Sequence, residues 1–183
     1  HVRDAACYTY WAFCRAYSPV VLRLYLHELT EAILLTCLFD REVNCRRAAS
    51  AAFQEAVGRQ GKKNVPLGIE IVTAADYFSL GNRTDAYLTI ARQIADFEDH
   101  RRSIISHLYR CKLFHWDPNL RTLSSRALRG LAALDLPFVS KTVVPSLLDK
   151  SLNEKDLPTR HGAVLGLSAI ILALSKSRSV HHL

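Results

Sequence analysis

The chain has 183 residues, of which 49% are hydrophobic, with only seven Gly and six Pro. That is enough to bury a real core in one domain or at most two, which excludes a disordered chain. Few turn-forming residues among abundant Leu and Ala disfavour a many-stranded sandwich, so an all-helical domain is predicted. A formal net charge of +7 and a pI near 9.3 point to an acidic partner, which charge alone leaves open among nucleic acid, membrane surface and acidic protein.

Cys7, Cys14, Cys37, Cys45 and Cys111 are odd in number and lie in apolar runs. They read as reduced, buried thiols of a cytosolic protein rather than a disulfide framework. No 18-residue apolar stretch is free of charge, and His1-Val2-Arg3-Asp4 lacks the apolar core of a signal peptide, so neither membrane insertion nor a leader is expected. The opening residues read as a helix interior without a cap, and there is no methionine, as in a segment of a longer chain.

Taken in chain order, the predicted helices repeat. Val2-Arg3-Asp4-Ala5-Ala6, Cys45-Arg46-Arg47-Ala48-Ala49, Asn82-Arg83-Thr84-Asp85-Ala86, Leu120-Arg121-Thr122-Leu123-Ser124 and Thr159-Arg160-His161-Gly162-Ala163 each place a small residue three positions after an arginine near a helix start. The arginines are 43, 37, 38 and 39 residues apart, the period of a helix pair. Second helices are expected from Leu22 to Phe39, Val65 to Tyr77, Arg101 to Phe114 and Val139 to Leu152. Neither helix of such a pair can bury its apolar face alone. The prediction is therefore an all-α, right-handed superhelical solenoid of HEAT or armadillo type with four to five repeats, spanning residues 1–174, with 175–183 as a flexible or appended tail.

Asp40, Asp117 and Asp156 precede Arg46, Arg121 and Arg160 by six, four and four residues. With Arg3 and Arg83 they form an expected structural ladder of charge-assisted hydrogen bonds between neighbouring turns. Pro19 and Pro145 are expected in first helical turns, and Asp135-Leu136-Pro137 and Ser151 to Pro158 as inter-helix turns. Gly58 to Gly68 is the longest break, and long breaks are where function tends to sit.

Little in the chain reads as catalytic. Gly61-Lys62-Lys63 lacks the strand, the upstream glycine and the Ser or Thr of a phosphate loop. Apart from His100 and His107, seven residues apart around a helix entry, no Cys or His pair has zinc-ligand spacing, and neither metal nor cofactor is expected. His115 between Phe114 and Trp116 reads as a packed or capping side chain, since no nucleophile accompanies it. Tyr8, Tyr10, Trp11 and Phe13 have the spacing of a core, not of a base-stacking platform. Asn82-Arg83-Thr84 is a formal glycosylation sequon that a cytosolic chain would not use. The positive charge concentrates at Arg41, Arg47, Arg59, Lys62 and Lys63, the candidate partner-binding residues, which read equally as a solvated face.

The run Phe39-Asp40-Arg41-Glu42-Val43-Asn44-Cys45-Arg46-Arg47-Ala48-Ala49-Ser50-Ala51-Ala52-Phe53-Gln54-Glu55 resembles the tubulin-folding cofactor D family. So do Gly58-Arg59-Gln60-Gly61, Thr73-Ala74-Ala75-Asp76-Tyr77-Phe78, Gly81-Asn82-Arg83, His115-Trp116-Asp117, Arg160-His161-Gly162 and the opening Val2 to Tyr8. The resemblance extends from Val2 to about Leu174. It implies a middle section of a large cytoplasmic, cytoskeleton-associated HEAT-repeat chaperone that receives β-tubulin after the chaperonin. Such a chaperone assembles and disassembles αβ-tubulin with cofactors C and E and an Arf-like small GTPase. It also implies that GTP hydrolysis by tubulin is stimulated by the assembly, with no active site in this chain and no residue role that transfers to a numbered position.

Two other readings compete. An importin-type HEAT scaffold for another acidic protein would show the same repeat. A nucleic-acid-binding HEAT protein is motivated by the basic pI, but the cations cluster in one region instead of tracking a groove. An enzyme is the weakest reading, because no nucleophile, base and orienting group come together.

Overall fold

A computed structural model describes the backbone of residues 2–180 and the side chains of residues 2–175. It is 84% helical, with no strand among the described residues. The fold is a helical repeat of armadillo type, and its packing forms two compact units, residues 1–90 and 91–183.

In the first unit, α1 (Val2–Ala16), α2 (Pro19–Phe39), α3 (Val43–Gln60) and α4 (Gly68–Ala74) precede a 3-10 turn (Ser79–Gly81), the short α5 (Arg83–Asp85) and a π turn (Ala86–Ile90). Pro19 opens α2, where a missing amide donor leaves nothing unpaired. Cys7, Tyr10 and Cys14 recur at intervals of three and four on α1. They pack with Leu34, Cys37, Leu38 and Phe39 of α2 and Ala49, Ala52, Phe53 and Ala56 of α3 in the core. Full burial of a side chain such as Leu38 or Phe39 stabilises by about 1.5–3 kcal/mol. The Tyr10 and Thr30 hydroxyls are 2.6 Å apart, and the Tyr87 hydroxyl donates to the Phe39 carbonyl at 2.9 Å. No buried hydroxyl of this pair of tyrosines is left without a partner.

The break after α3 is set by two glycines. Gly61 ends the helix at φ 73°, a conformation that costs glycine little. Gly68 starts α4 so close to α3 that a Cβ there would lie 2.7 Å from a Val57 methyl carbon. Gly58, in contrast, is inside α3, so the break is shorter than the sequence implied.

In the second unit, α6 (Ala91–Ala95), α7 (Glu98–His107) with a π turn (Leu108–Lys112), and α8 (Pro118–Leu131) with a 3-10 turn (Ala132–Asp135) come first. Then follow α9 (Leu136–Phe138), a π turn (Val139–Val143), α10 (Val144–Asn153) and α11 (Leu157–Val180). The core comprises Ile94, Ile104, Ile105, Leu108, Leu113, Leu120, Leu128, Leu131, Val143, Leu147 and Ala163. Two glycines bring α11 onto it: a Cβ at Gly162 would fall 1.7 Å from the Leu113 carbonyl oxygen, and one at Gly166 would fall 2.6 Å from Leu113 Cδ1. Helix approach this close needs the absence of a side chain.

Several boundaries differ from expectation for local reasons. Asp135 accepts from the Phe138 amide at 3.1 Å and caps α9, so Pro137 occupies the first turn. Pro145 lies in the first turn of α10, yet well inside the continuous helical run 136–153, directly after the π turn in which the Val144 amide bonds the Val139 carbonyl. This wider turn displaces the carbonyls that a proline ring would otherwise strike. α11 continues to Val180, past the expected tail boundary at residue 175, while residues 181–183 of that tail lie outside the described residues.

By length and composition alone, two described helical runs reach the requirement for a membrane span: Pro118–Asn153 and Leu157–Ser175, each with hydropathy 1.4. The first contains Arg121, which is buried against the carbonyls of His115 and Trp116.

Candidate functional site

The five repeat arginines fall where the spacing placed them, at the starts of α1, α3, α5, α8 and α11. Their partners differ. Arg3 on α1 donates to Asp40 at 2.6 and 3.3 Å across 37 residues, and the Asp40 carboxylate also accepts from the Glu42 amide at 2.8 Å. The hydrogen bond to Asp40, followed by its charge, raises the basicity of Arg3.

Arg46 is 2% exposed and donates to the carbonyls of Asp40 (3.0 Å), Arg41 (3.1 Å), Leu80 (2.9 Å) and Gly81 (3.1 Å). Burial, reinforced by the nearby charge of Arg83, lowers its pKa, yet a guanidinium stays protonated and presents its full fork of donors. Arg121 repeats the geometry in the second unit, donating to the carbonyls of His115 (2.7 Å) and Trp116 (2.8 Å) and to His161 Nδ1 (3.0 Å). Arg101 on α7 does so again, with Ala95 (3.0 Å), Asp96 (3.2 Å) and Leu134 (3.3 Å).

In all three cases the arginine reaches the carbonyls six and five residues before it and one or more groups 33 to 40 residues after it. One guanidinium thus satisfies the open end of a preceding helix or turn and fastens it to the next repeat. Arg101 escaped the sequence reading because it lies on a second helix. The available signal was its position six residues past the last apolar residue of α6.

The aspartates act mainly at helix ends. Asp117 accepts from the Asn119 amide at 2.9 Å, and Asp156 accepts from the Thr159 amide and hydroxyl at 2.9 and 2.6 Å, which lowers its pKa. Asn82 of the sequon caps α5 through the Thr84 amide. Arg160 is exposed and makes no side-chain hydrogen bond among the described residues, and Arg83 Nε is buried without a hydrogen-bond partner. His115 Nδ1 accepts from the Asp117 amide at 3.0 Å, a turn-closing role.

The five basic partner-binding candidates are not brought into one patch. Arg41 and Arg47 flank the start of α3, whereas Arg59, Lys62 and Lys63 flank its end. From position 47 to 59 the helix advances about 18 Å at 1.5 Å per residue. Arg47 is committed locally, donating to the Tyr77 carbonyl at 3.2 Å with its guanidinium 4.5 Å from the Tyr77 ring centre. Arg59 pairs with Glu55 at 2.9 Å, and Lys62 and Lys63 are exposed.

The aromatics of α1 also differ from expectation. Only Tyr10 is in the core; Tyr8 is 68% exposed and Phe13 is 42% exposed. Tyr8 and Trp11 stack with ring centres 5.6 Å apart, and Arg15 lies 4.7 Å from the Trp11 ring centre. A stripe Tyr8, Trp11, Arg15 therefore runs along the outside of α1, opposite Ala48, Ala51 and Ala52 of α3. Helical periodicity identified the repeat but could not say which of α1's faces is covered.

Burial pushes the thiols of Cys7, Cys14 and Cys37 up and that of Cys45 to about 11, so all four are protonated and unreactive at neutral pH. Cys111 alone is exposed. No group of three or more His, Cys, Asp or Glu among the described residues is placed to hold a metal ion.

Stacked helix pairs fastened by buried arginines, with small residues at the crossings, define an armadillo-type repeat protein. Within that class the chain is a relative of the tubulin-specific chaperone D family. Residues 1–69 match the model of tubulin-specific chaperone D-like armadillo repeats. The chain is 37% identical over 183 residues to the tubulin-specific chaperone D of Dictyostelium discoideum, covering 99% of this chain and 12% of that protein. It is 32% identical over 170 residues to the tubulin-folding cofactor D of Schizosaccharomyces pombe, covering 93% of this chain and 15% of that protein. The chain thus spans about an eighth of the length of these relatives. No solved structure matches it.

Proposed function

We propose that this chain is a section of a non-catalytic tubulin-folding chaperone of the cytoplasm, associated with the cytoskeleton, that receives β-tubulin after the chaperonin. The observation that carries the reading is 37% identity, sustained along 99% of the chain, to a protein named tubulin-specific chaperone D. Assembly and disassembly of αβ-tubulin with cofactors C and E and an Arf-like GTPase belong to the same reading, as does any stimulation of GTP hydrolysis by the full assembly. The chemistry of the chain is consistent with holding rather than transforming: its buried arginines spend their donors on backbone carbonyls, and its buried thiols are protonated.

The cations at Arg41, Arg47, Arg59, Lys62 and Lys63 favour an acidic partner, raising encounter rates more than affinity. Their division between the two ends of α3 makes Arg59, Lys62 and Lys63 the better candidates for contact, because Arg47 is already held by Tyr77.

The test is capture of isolated β-tubulin and of αβ-tubulin by the immobilised chain, with and without proteolytic removal of the acidic tubulin tail. Capture of β-tubulin is expected, weakening as salt rises. A folded chain that captures neither form would remove tubulin contact from this section. Capture of an unrelated acidic protein with equal strength would favour the importin-type scaffold.

A further inference from the structure

The cleft between α1 and α3 has the character of a peptide groove. The helices run parallel: Asp4, near the start of α1, and Ala48, near the start of α3, line one end of the cleft. At the other end, the Gln60 side-chain amide donates to the Cys14 carbonyl at 3.4 Å. Between them lie two adjoining cavities of about 270 and 490 Å³ that share Trp11 and Ala51. The first is walled by Tyr8 and Trp11 over a floor of Ala48, Ala51 and Ala52; the second opens toward Gln54, Glu55, Gly58 and Arg59.

One wall is aromatic and presented to solvent, the floor is small and apolar, and one end is strongly basic. Arg15 and Arg59 share a single carboxylate, Glu55, at 3.6 and 2.9 Å, and Lys62 and Lys63 follow immediately beyond Gln60. Four cations against one carboxylate leave a local excess of three positive charges. Arg15 and Arg59 also complement the carbonyl ends of their helices, which accounts for two of the four. Lys62 and Lys63 lie past the end of α3 and have no such role.

We infer that this groove binds an extended acidic peptide, one apolar or aromatic side chain resting against Tyr8 and Trp11 and the carboxylates reaching Arg15, Arg59, Lys62 and Lys63. Aromatic anchors with a charged rim are the usual means by which a shallow protein groove gains both affinity and orientation. The inference deepens the chaperone reading by naming a contact surface and its ligand chemistry, and it rests on that reading only for the identity of the partner. The sequence reading missed Arg15, which lies 44 positions from Arg59.

The test measures fluorescence anisotropy of a labelled Glu-Glu-Glu-Tyr-Glu-Glu-Glu peptide on the whole chain. Binding that falls with salt is expected. Ala51→Trp, which fills the groove at an exposed helical position, is expected to weaken it at least tenfold, and Tyr8→Ala at least threefold should Ala51→Trp fail to fold. Arg15→Glu with Lys62→Glu and Lys63→Glu is expected to abolish it. Absence of binding at low salt, or equal affinity in folded Ala51→Trp and Tyr8→Ala, overturns the inference. So does a single-stranded RNA that binds more tightly and displaces the peptide. Peptide binding without tubulin capture keeps the groove and rejects the tubulin reading. Tubulin capture unaffected by Ala51→Trp, in a chain that ignores the peptide, does the reverse.

Discussion

Asp40 stands between Arg3 and Arg46: its carboxylate takes the guanidinium of Arg3 at 2.6 Å while its carbonyl takes that of Arg46 at 3.0 Å. One residue at the end of a second helix is thereby tied to the first helices of two successive repeats. Arg46 is the more consequential partner, since it is buried and its removal would leave carbonyls at positions 40, 41, 80 and 81 without that donor. Arg46→Met is expected to destabilise the chain by about 3 kcal/mol, and Arg46→Lys by nearly as much because an ammonium cannot span the same carbonyls. Urea denaturation followed by circular dichroism checks both. Arg160→Met, at an exposed position, should change stability by less than about 0.5 kcal/mol.

Gly162 and Gly130 are both helical glycines with opposite surroundings. A methyl at Gly162 would overlap the Leu113 carbonyl, so Gly162→Ala is expected to cost about 3 kcal/mol or more through displacement of α11. Nothing lies within 4 Å of a methyl at Gly130, so Gly130→Ala is expected to stabilise by about 0.5–1 kcal/mol. Thermal melts of the two variants should move in opposite directions.

Acid should weaken the fold through His107. Burial, aided by Lys112, depresses its pKa to about 4 from an ordinary 6.5. The unfolded chain therefore takes up this proton first, and stability falls as pH drops from about 6.5 to 4, by up to about 3 kcal/mol from this group. His107→Leu is expected to flatten the stability profile across that window, read as urea midpoints at successive pH values.

Alkali acts on two tyrosines. Burial raises the pKa of Tyr10 and Tyr87, outweighing the hydrogen bond to Thr30 in the first case and the charges of Arg83 and Arg46 in the second. Both phenols keep their protons in the folded state above pH 10, where an unfolded chain would lose them, so their contribution to stability declines as pH rises beyond 10. Absorbance titration at the phenolate band should show Tyr10 and Tyr87 ionising only together with unfolding.

The repeat was legible because it depends on local patterning. An arginine near a helix start, a small residue three positions later and apolar residues at helical intervals recur at 37 to 43 residues whatever the chain packs against. The resemblance to the cofactor D family was equally a property of the linear text. Particular breaks were legible for the same reason: Pro19 can only open a helix without loss, and Gly61 takes a φ of 73° at little cost.

What the sequence by itself determined, then, is the class of fold, its period and the family to which it is related, since propensity, periodicity and spacing are carried by residues close together in the chain. Only the tertiary structure decided which charges meet. It gave Arg46 and Arg121 to carbonyls where aspartates were expected, added Arg101 to their number, and split the basic cluster between the ends of α3. It also turned Tyr8 and Trp11 outward beside Arg15 and Ala51. The physical reason is that a guanidinium or a ring has several chemically adequate partners in any sequence, and the choice among them is made by how neighbouring helices cross, which residues tens of positions apart determine together.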